Sequence, residues 1–240
     1  MSLNSRSSLR NKSYIVTGAS RGIGKAIALM LLEQDTSVIG LSRTPGDIKN
    51  SKYKHVSIDF ENAKSVEAVM KKIVKDITSL DGVICSAGVG RFGGIEQFSF
   101  KQMQSMMNVN FLSQACLVRL LLPNLKKLDR SDVVFIGSEA ALEGTKNGAM
   151  YCASKFALRG FSQALRDECG KSGVKVSLIN PGMVKTDFFN DLNFEPGASE
   201  DNYIEVTDIA DAVELILSTR TGTVLDEINL SPLKKVIKFS

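Results

Sequence analysis

The chain has 240 residues, 43% of them hydrophobic and 23% charged, with a formal net charge of +4. That is enough apolar material for a large core, too much for a disordered chain, and a length that suits one α/β domain. The charge is mild and no Lys/Arg stripe is interleaved with aromatics, so no nucleic-acid partner is expected, and no apolar run approaches the ~20 residues that cross a bilayer. In chain order, residues 1–11 are polar and Ser-rich and read as a flexible leader rather than a secretion signal. Residues 13–18 (SYIVTG) predict a buried strand, 22–34 an amphipathic helix, 37–42 (SVIGLS) a second strand and 55–60 (HVSIDF) a third. A helix is predicted over 62–78, a fourth strand over 82–86, and a Gly-rich loop over 87–94. One long helical stretch covers 99–128, ending near Pro123 or in a short piece after it, followed by a fifth strand over 133–138. The remainder reads as a helix over 149–170, a strand over 174–180 broken by Pro181-Gly182, a helix over 206–219 and a final strand over 224–230. Strands alternating with helices imply a single doubly wound, Rossmann-like α/β domain over residues 12–240, with a parallel seven-stranded sheet covered on both faces.

Thr17-Gly18-Ala19-Ser20-Arg21-Gly22-Ile23-Gly24 lies between the first strand and the first helix. Glycines there permit a tight turn and close approach to a pyrophosphate, and the helix N-terminus offers free N–H groups to the phosphates. The second strand ends Leu41-Ser42-Arg43, with no acid to bond a ribose 2′-hydroxyl. Arg21 and Arg43 suit bidentate contact with a 2′-phosphate, so the expected cofactor is NADP(H) rather than NAD.

Tyr151 and Lys155 are four apart in a helical stretch and share a face. An ammonium beside a phenol favours the phenolate, which predicts a lowered Tyr151 pKa and a general acid for ketone reduction, or a base in reverse. Ser138 closes the fifth strand at the carboxyl edge of the sheet, placed to bond a substrate oxygen.

With these residues in view, the chain from about residue 12 to the last strand resembles the short-chain dehydrogenase/reductase family. The T-G-x-x-x-G-x-G motif is met by Thr17, Gly18, Gly22 and Gly24, and the catalytic Ser, Tyr and Lys by Ser138, Tyr151 and Lys155. The resemblance implies that Asp59, with Phe60 after it, contacts adenine. An altered N-N-A-G motif, Cys85-Ser86-Ala87-Gly88, would flank the cofactor, and Pro181, Gly182, Val184 and Thr186 would hold the nicotinamide end. It further implies that Asn110 supports a water relaying protons from Lys155, that Lys155 also binds the nicotinamide ribose, and that the protein is a homodimer or homotetramer joined through 99–128 and 149–170. The final strand lacks the family's common double glycine, which argues against an acyl-carrier-protein ketoreductase.

The substrate is expected to be a small, moderately apolar ketone, aldehyde or secondary alcohol. A flap over 183–204, with Phe188 and Phe189, forms one wall, and Phe92, Leu142 and Met150 the other. Cys85, Cys116, Cys152 and Cys169 match no disulfide or metal spacing, and His55 is the only histidine. No metal is therefore expected, and a reducing, cytoplasmic compartment is. The alternative reading is a cofactor-binding regulator on the same fold that turns nothing over.

Overall fold

Short, largely apolar runs bounded by turn residues become the strands, the central ones covered on both faces. In chain order they are β1 (Ser13–Thr17), β2 (Ser37–Ser42), β3 (Tyr53–Ser57), β4 (Gly82–Cys85), β5 (Ser131–Ile136), β6 (Val174–Pro181), β7 (Phe194–Pro196), β8 (Glu227–Leu230) and β9 (Ile237–Phe239). The computed structural model describes residues 8–77 and 79–239. Seven of these strands form the expected parallel sheet, ordered β3-β2-β1-β4-β5-β6-β8, while β7 and β9 pair separately and antiparallel. Residues of β4, β5 and β6 are buried throughout, as strands sandwiched between helices must be.

The helices are α1 (Gly22–Glu33), α2 (Ala63–Asp76), α3 (Phe100–Met107), α4 (Ser113–Leu125), α5 (Ala149–Cys169) and α6 (Val206–Ser218). Their apolar stripes build one core on each face of the sheet. Val66, Met70 and Ile73 of α2, Leu117 and Leu121 of α4, and Leu158 and Leu165 of α5 cover one face. Ile27 and Leu31 of α1 and Ile209, Val213 and Ile216 of α6 cover the other. Asn62 caps α2 by accepting a bond from the Ser65 N–H at 3.1 Å, and Ser99 with Gln102 closes a capping box on α3.

Four expectations change. The third strand lies at Tyr53–Ser57 rather than 55–60, because β2 ends at Ser42 opposite Ser57 and leaves nothing for later residues to pair with. Ile58 and Phe60 are buried nonetheless, which is why their alternation resembles a strand. The long helix over 99–128 is interrupted by a π-turn, Asn108–Leu112, between α3 and α4, and Pro123 lies inside α4 near its end, where it removes one N–H donor from the helix. Joined, Phe100–Leu125 is long and apolar enough to cross a membrane by length and composition, unlike any run seen in the raw sequence; its apolar stripe instead packs on the sheet and α2. Finally, the packed chain starts before residue 12: Leu9 is buried, and the Asn11 N–H donates to the Asp35 carbonyl at 3.1 Å. Residues 1–7 of the expected leader lie outside the described residues.

Candidate active site

The carboxyl ends of β1, β2, β4, β5 and β6 open into one cavity of about 840 Å³. This is where an open α/β sheet binds ligands, since the chain diverges there to helices on opposite faces. The glycine loop forms one end. Gly18 and Gly22 have φ of 69° and 54°, a left-handed conformation that costs a glycine little. A Cβ on Gly24 would collide with the Gly18 carbonyl, so glycine there lets α1 start directly against the loop. Arg21 is the N-cap of α1, makes no side-chain cap, and no acid occupies the first turn. The first N–H groups of α1 are thus left to an anion. Ser20, Arg21, Gly22, Ile23, Gly24, Arg43, Asp59, Phe60, Ala87 and Gly88 all line this end of the cavity. The carboxylate after β2 is Asp47, which Lys25 holds at 2.7 Å, and that pairing keeps the Asp47 carboxyl below its usual pKa. These features fit a dinucleotide with its phosphates on α1.

Thr17 and Gln114 hold the altered loop after β4. The Thr17 hydroxyl accepts from the Ser86 and Ala87 N–H groups, both at 2.9 Å, and donates to Gln114 Oε1 at 3.2 Å. Gln114 Nε2 donates to the Ala87 and Val109 carbonyls at 3.3 and 3.1 Å. Backbone and Gln114 therefore order a segment in which the usual asparagines are Cys85 and Ser86. No motif flagged Gln114, because its partners come from three separate elements.

At the other end of the cavity stand Ser138, Tyr151 and Lys155. Ser138 follows β5 and accepts from the Ala140 N–H at 3.2 Å. Tyr151 and Lys155 project from one face of α5, with Lys155 Nζ 5.8 Å from the Tyr151 ring centre. The Lys155 ammonium donates to the Ile136 carbonyl at 3.1 Å. Asn110, turned inward by the π-turn, accepts from the Val89 N–H at 2.8 Å and donates to the Val89 carbonyl and Ser154 Oγ at 3.0 and 2.9 Å. Gly88 lies beside both groups: a Cβ there would meet Asn110 Oδ1 and Lys155 Nζ at ordinary contact distances of 3.5 and 3.7 Å. The expected lowering of the Tyr151 pKa is not found. Burial pushes the phenol up to about 12, and the Ser138 hydrogen bond pulls it only partly back. Burial also lowers Lys155 to about 8. In both cases burial disfavours the charged form, which raises the phenol and lowers the ammonium.

Pro181, Gly182, Val184 and Thr186 line the cavity as expected, and the Thr186 hydroxyl caps the short turn Asp187–Phe189 by accepting from the Phe188 N–H at 3.2 Å. Phe92 packs on Tyr151 with ring centres 5.0 Å apart, Phe188 does so at 6.0 Å, and Phe189 packs on Phe188 at 5.3 Å. Two expected substrate residues do not line the cavity. Leu142 is 38% exposed at its position after a short turn, and Met150, one residue before Tyr151 and so about a quarter-turn round α5, packs against the cluster of Met106, Ala140, Tyr151 and Cys152. Phe194 of the expected flap lines it, and so do Glu139, Lys235, Ile237 and Phe239, which were absent from the expectations as site residues.

The short chain dehydrogenase family model matches residues 12–196. This chain belongs to the short-chain dehydrogenase/reductase family. It is 30% identical over 230 residues to an uncharacterised oxidoreductase of Staphylococcus epidermidis, covering 93% of this chain and 98% of that protein. It is 33% identical over 189 residues to a 3-ketodihydrosphingosine reductase of Bacteroides thetaiotaomicron, covering 78% of this chain and 70% of that one. Its fold matches that of an alcohol dehydrogenase of the archaeon Thermococcus sibiricus complexed with 5-hydroxy-NADP, with a TM-score of 0.84, 25% identity, and coverage of 95% and 99%. The chain is thus an oxidoreductase-family protein whose structural neighbours bind nicotinamide dinucleotides.

Proposed function

We propose that the protein is an NADP(H)-dependent dehydrogenase/reductase that interconverts a small, moderately apolar carbonyl compound and its alcohol, with Ser138, Tyr151, Lys155 and Asn110 as the catalytic set. The observation that carries this reading is the convergence of Tyr151, Lys155 and Ser138 at one end of a cavity whose other end is the glycine loop. The nicotinamide, when bound, supplies or accepts the hydride. The Tyr151 hydroxyl, which burial keeps protonated at neutral pH, hands its proton to the substrate oxygen. Ser138 bonds the same oxygen as charge develops on it. Lys155 fixes the nicotinamide ribose and recharges Tyr151, and Asn110 anchors the loop beside them.

Arg21 and Arg43, both exposed at the cavity rim, support NADP(H), as does the engagement of Asp47 by Lys25. Four unpaired cysteines support a cytoplasmic setting. Leu112 and Phe156, 48% and 44% exposed on the helical stretches expected to join subunits, support a homo-oligomer.

The test is to titrate NADPH and NADH by fluorescence and then follow nicotinamide absorbance across a carbonyl panel. The expected result is tighter NADPH binding, turnover of at least one ketone or aldehyde, and a loss of two or more orders of magnitude in Tyr151→Phe with NADPH binding kept. NADH preference would overturn the assignment of Arg43. Undiminished turnover in Tyr151→Phe would overturn the mechanism, and tight NADPH binding without turnover would favour a regulator.

A further inference from the structure

We infer that the C-terminal strand β9 is the outer wall of the substrate pocket, and that Ile237 and Phe239 select carbonyl compounds carrying an apolar arm of aryl size or larger. This rests on the proposed function only in placing the carbonyl at Tyr151. The wall itself rests on how the tail is held.

The tail leaves β8 and folds back across the cavity mouth, where several contacts tie it to the flap. The Lys234 N–H donates to the Asp201 carbonyl at 2.8 Å, Asn202 Nδ2 to the Lys234 carbonyl at 3.2 Å, and the Gly197 N–H to the Val236 carbonyl at 2.9 Å. Lys234 also pairs with the Asp201 carboxylate at 2.6 Å. Lys235 reaches across to Glu139, the neighbour of Ser138, at 2.9 Å. The tail is therefore fastened both to the flap and to the floor of the site.

Alternation along β9 sends Ile237 and Phe239 to one face and Lys238 to the other. Ile237 and Phe239 both line the cavity, yet they are 40% and 78% exposed. Folding thus leaves a large apolar surface at the cavity mouth, which a bound apolar group would cover. An aromatic track leads inward from it. Phe239 stands opposite Phe194, Phe194 packs edge-on against Phe92 with ring centres 5.0 Å apart, and Phe92 packs on Tyr151 at 5.0 Å. A small ketone held at Tyr151 ends before it reaches β9, whereas an arm of aryl size or larger runs along the aromatic track to it.

The test compares acetone with 4-phenyl-2-butanone as substrates of the full-length wild type, an Ile237→Ala/Phe239→Ala double variant, and a Lys238→Ala control. Titration calorimetry of 4-phenyl-2-butanone in the presence of NADP+ gives a second readout that needs no turnover. Both replaced side chains are partly or largely exposed, so the thermal midpoint is expected to hold. The double variant is expected to raise KM and Kd for 4-phenyl-2-butanone tenfold or more, with acetone KM and both kcat values within twofold; Lys238→Ala changes none of them. Equal effects on both ketones, or none, would overturn the inference. If the wild type reduces neither ketone, calorimetry still decides the wall, and the carbonyl panel decides the proposed function separately. An unchanged Kd in the double variant, or no binding even to the wild type, overturns the wall independently.

Discussion

Burial moves the two central side chains in opposite senses: Tyr151 holds its proton more firmly than a free phenol, and Lys155 gives its proton up more readily than a free ammonium. The consequence for stability has a definite sign. Lys155 titrates near 8 when folded and at its ordinary 10.5 when unfolded. Between those values the unfolded chain binds the extra proton, so the Lys155 contribution to stability rises with pH across that window. Below about 8 the folded protein carries a buried ammonium, and that cost is fully present. Lys155→Met removes the titration. The urea midpoint of the wild type relative to Lys155→Met is therefore expected to rise from pH 7.5 to pH 10, and a difference that stays flat or falls would contradict the burial argument. Lys175, also lowered to about 8 by burial, is present in both proteins and cancels from the comparison.

At the scale of elements, the site depends on two departures from regular structure, the glycine loop before α1 and the π-turn between α3 and α4. The π-turn directs Asn110 at the loop after β4, and four residues later Gln114 reaches the same loop from α4. Gln114 is buried and satisfies two carbonyls and one hydroxyl. Gln114→Leu keeps the volume but leaves the Ala87 and Val109 carbonyls without their donor. A loss of about 1–3 kcal/mol follows from stranding buried polar groups. At roughly 2–4 °C per kcal/mol for a chain of this size, calorimetry is expected to show a melting point several degrees lower. An unchanged melting point would mean that water replaces the amide.

For the whole molecule, helices on both faces bury the sheet but leave Leu112 and Phe156 facing outward. Covering them with a second copy is the economical way to remove that surface from water. Light scattering is expected to report a dimer or tetramer for the wild type and a smaller species for Phe156→Asp, with the far-ultraviolet spectrum unchanged. A monomeric wild type would assign these residues to ordinary exposed surface.

The order of strands and helices was legible in the sequence because buried parallel strands are short aliphatic runs and their covering helices carry apolar stripes. Thr17, Gly18, Gly22, Gly24, Ser138, Tyr151 and Lys155 were legible as candidates because each sits at a strand end or on one helix face, where spacing alone states the neighbourhood. The end of β3 was not, since a strand stops where its partner stops, and Ile58 and Phe60 carry the same alternation past that point. The role of Gln114 was not legible either, nor the burial that sets the protonation of Tyr151 and Lys155. Sequence by itself determined the fold and which candidate side chains come to the sheet edge, both encoded in local periodicity and spacing. Only the tertiary structure decided that a three-residue tail strand, remote in sequence from the flap it pairs with, comes to the mouth of the cavity. Its contacts are long-range, and so short a segment carries no period to read.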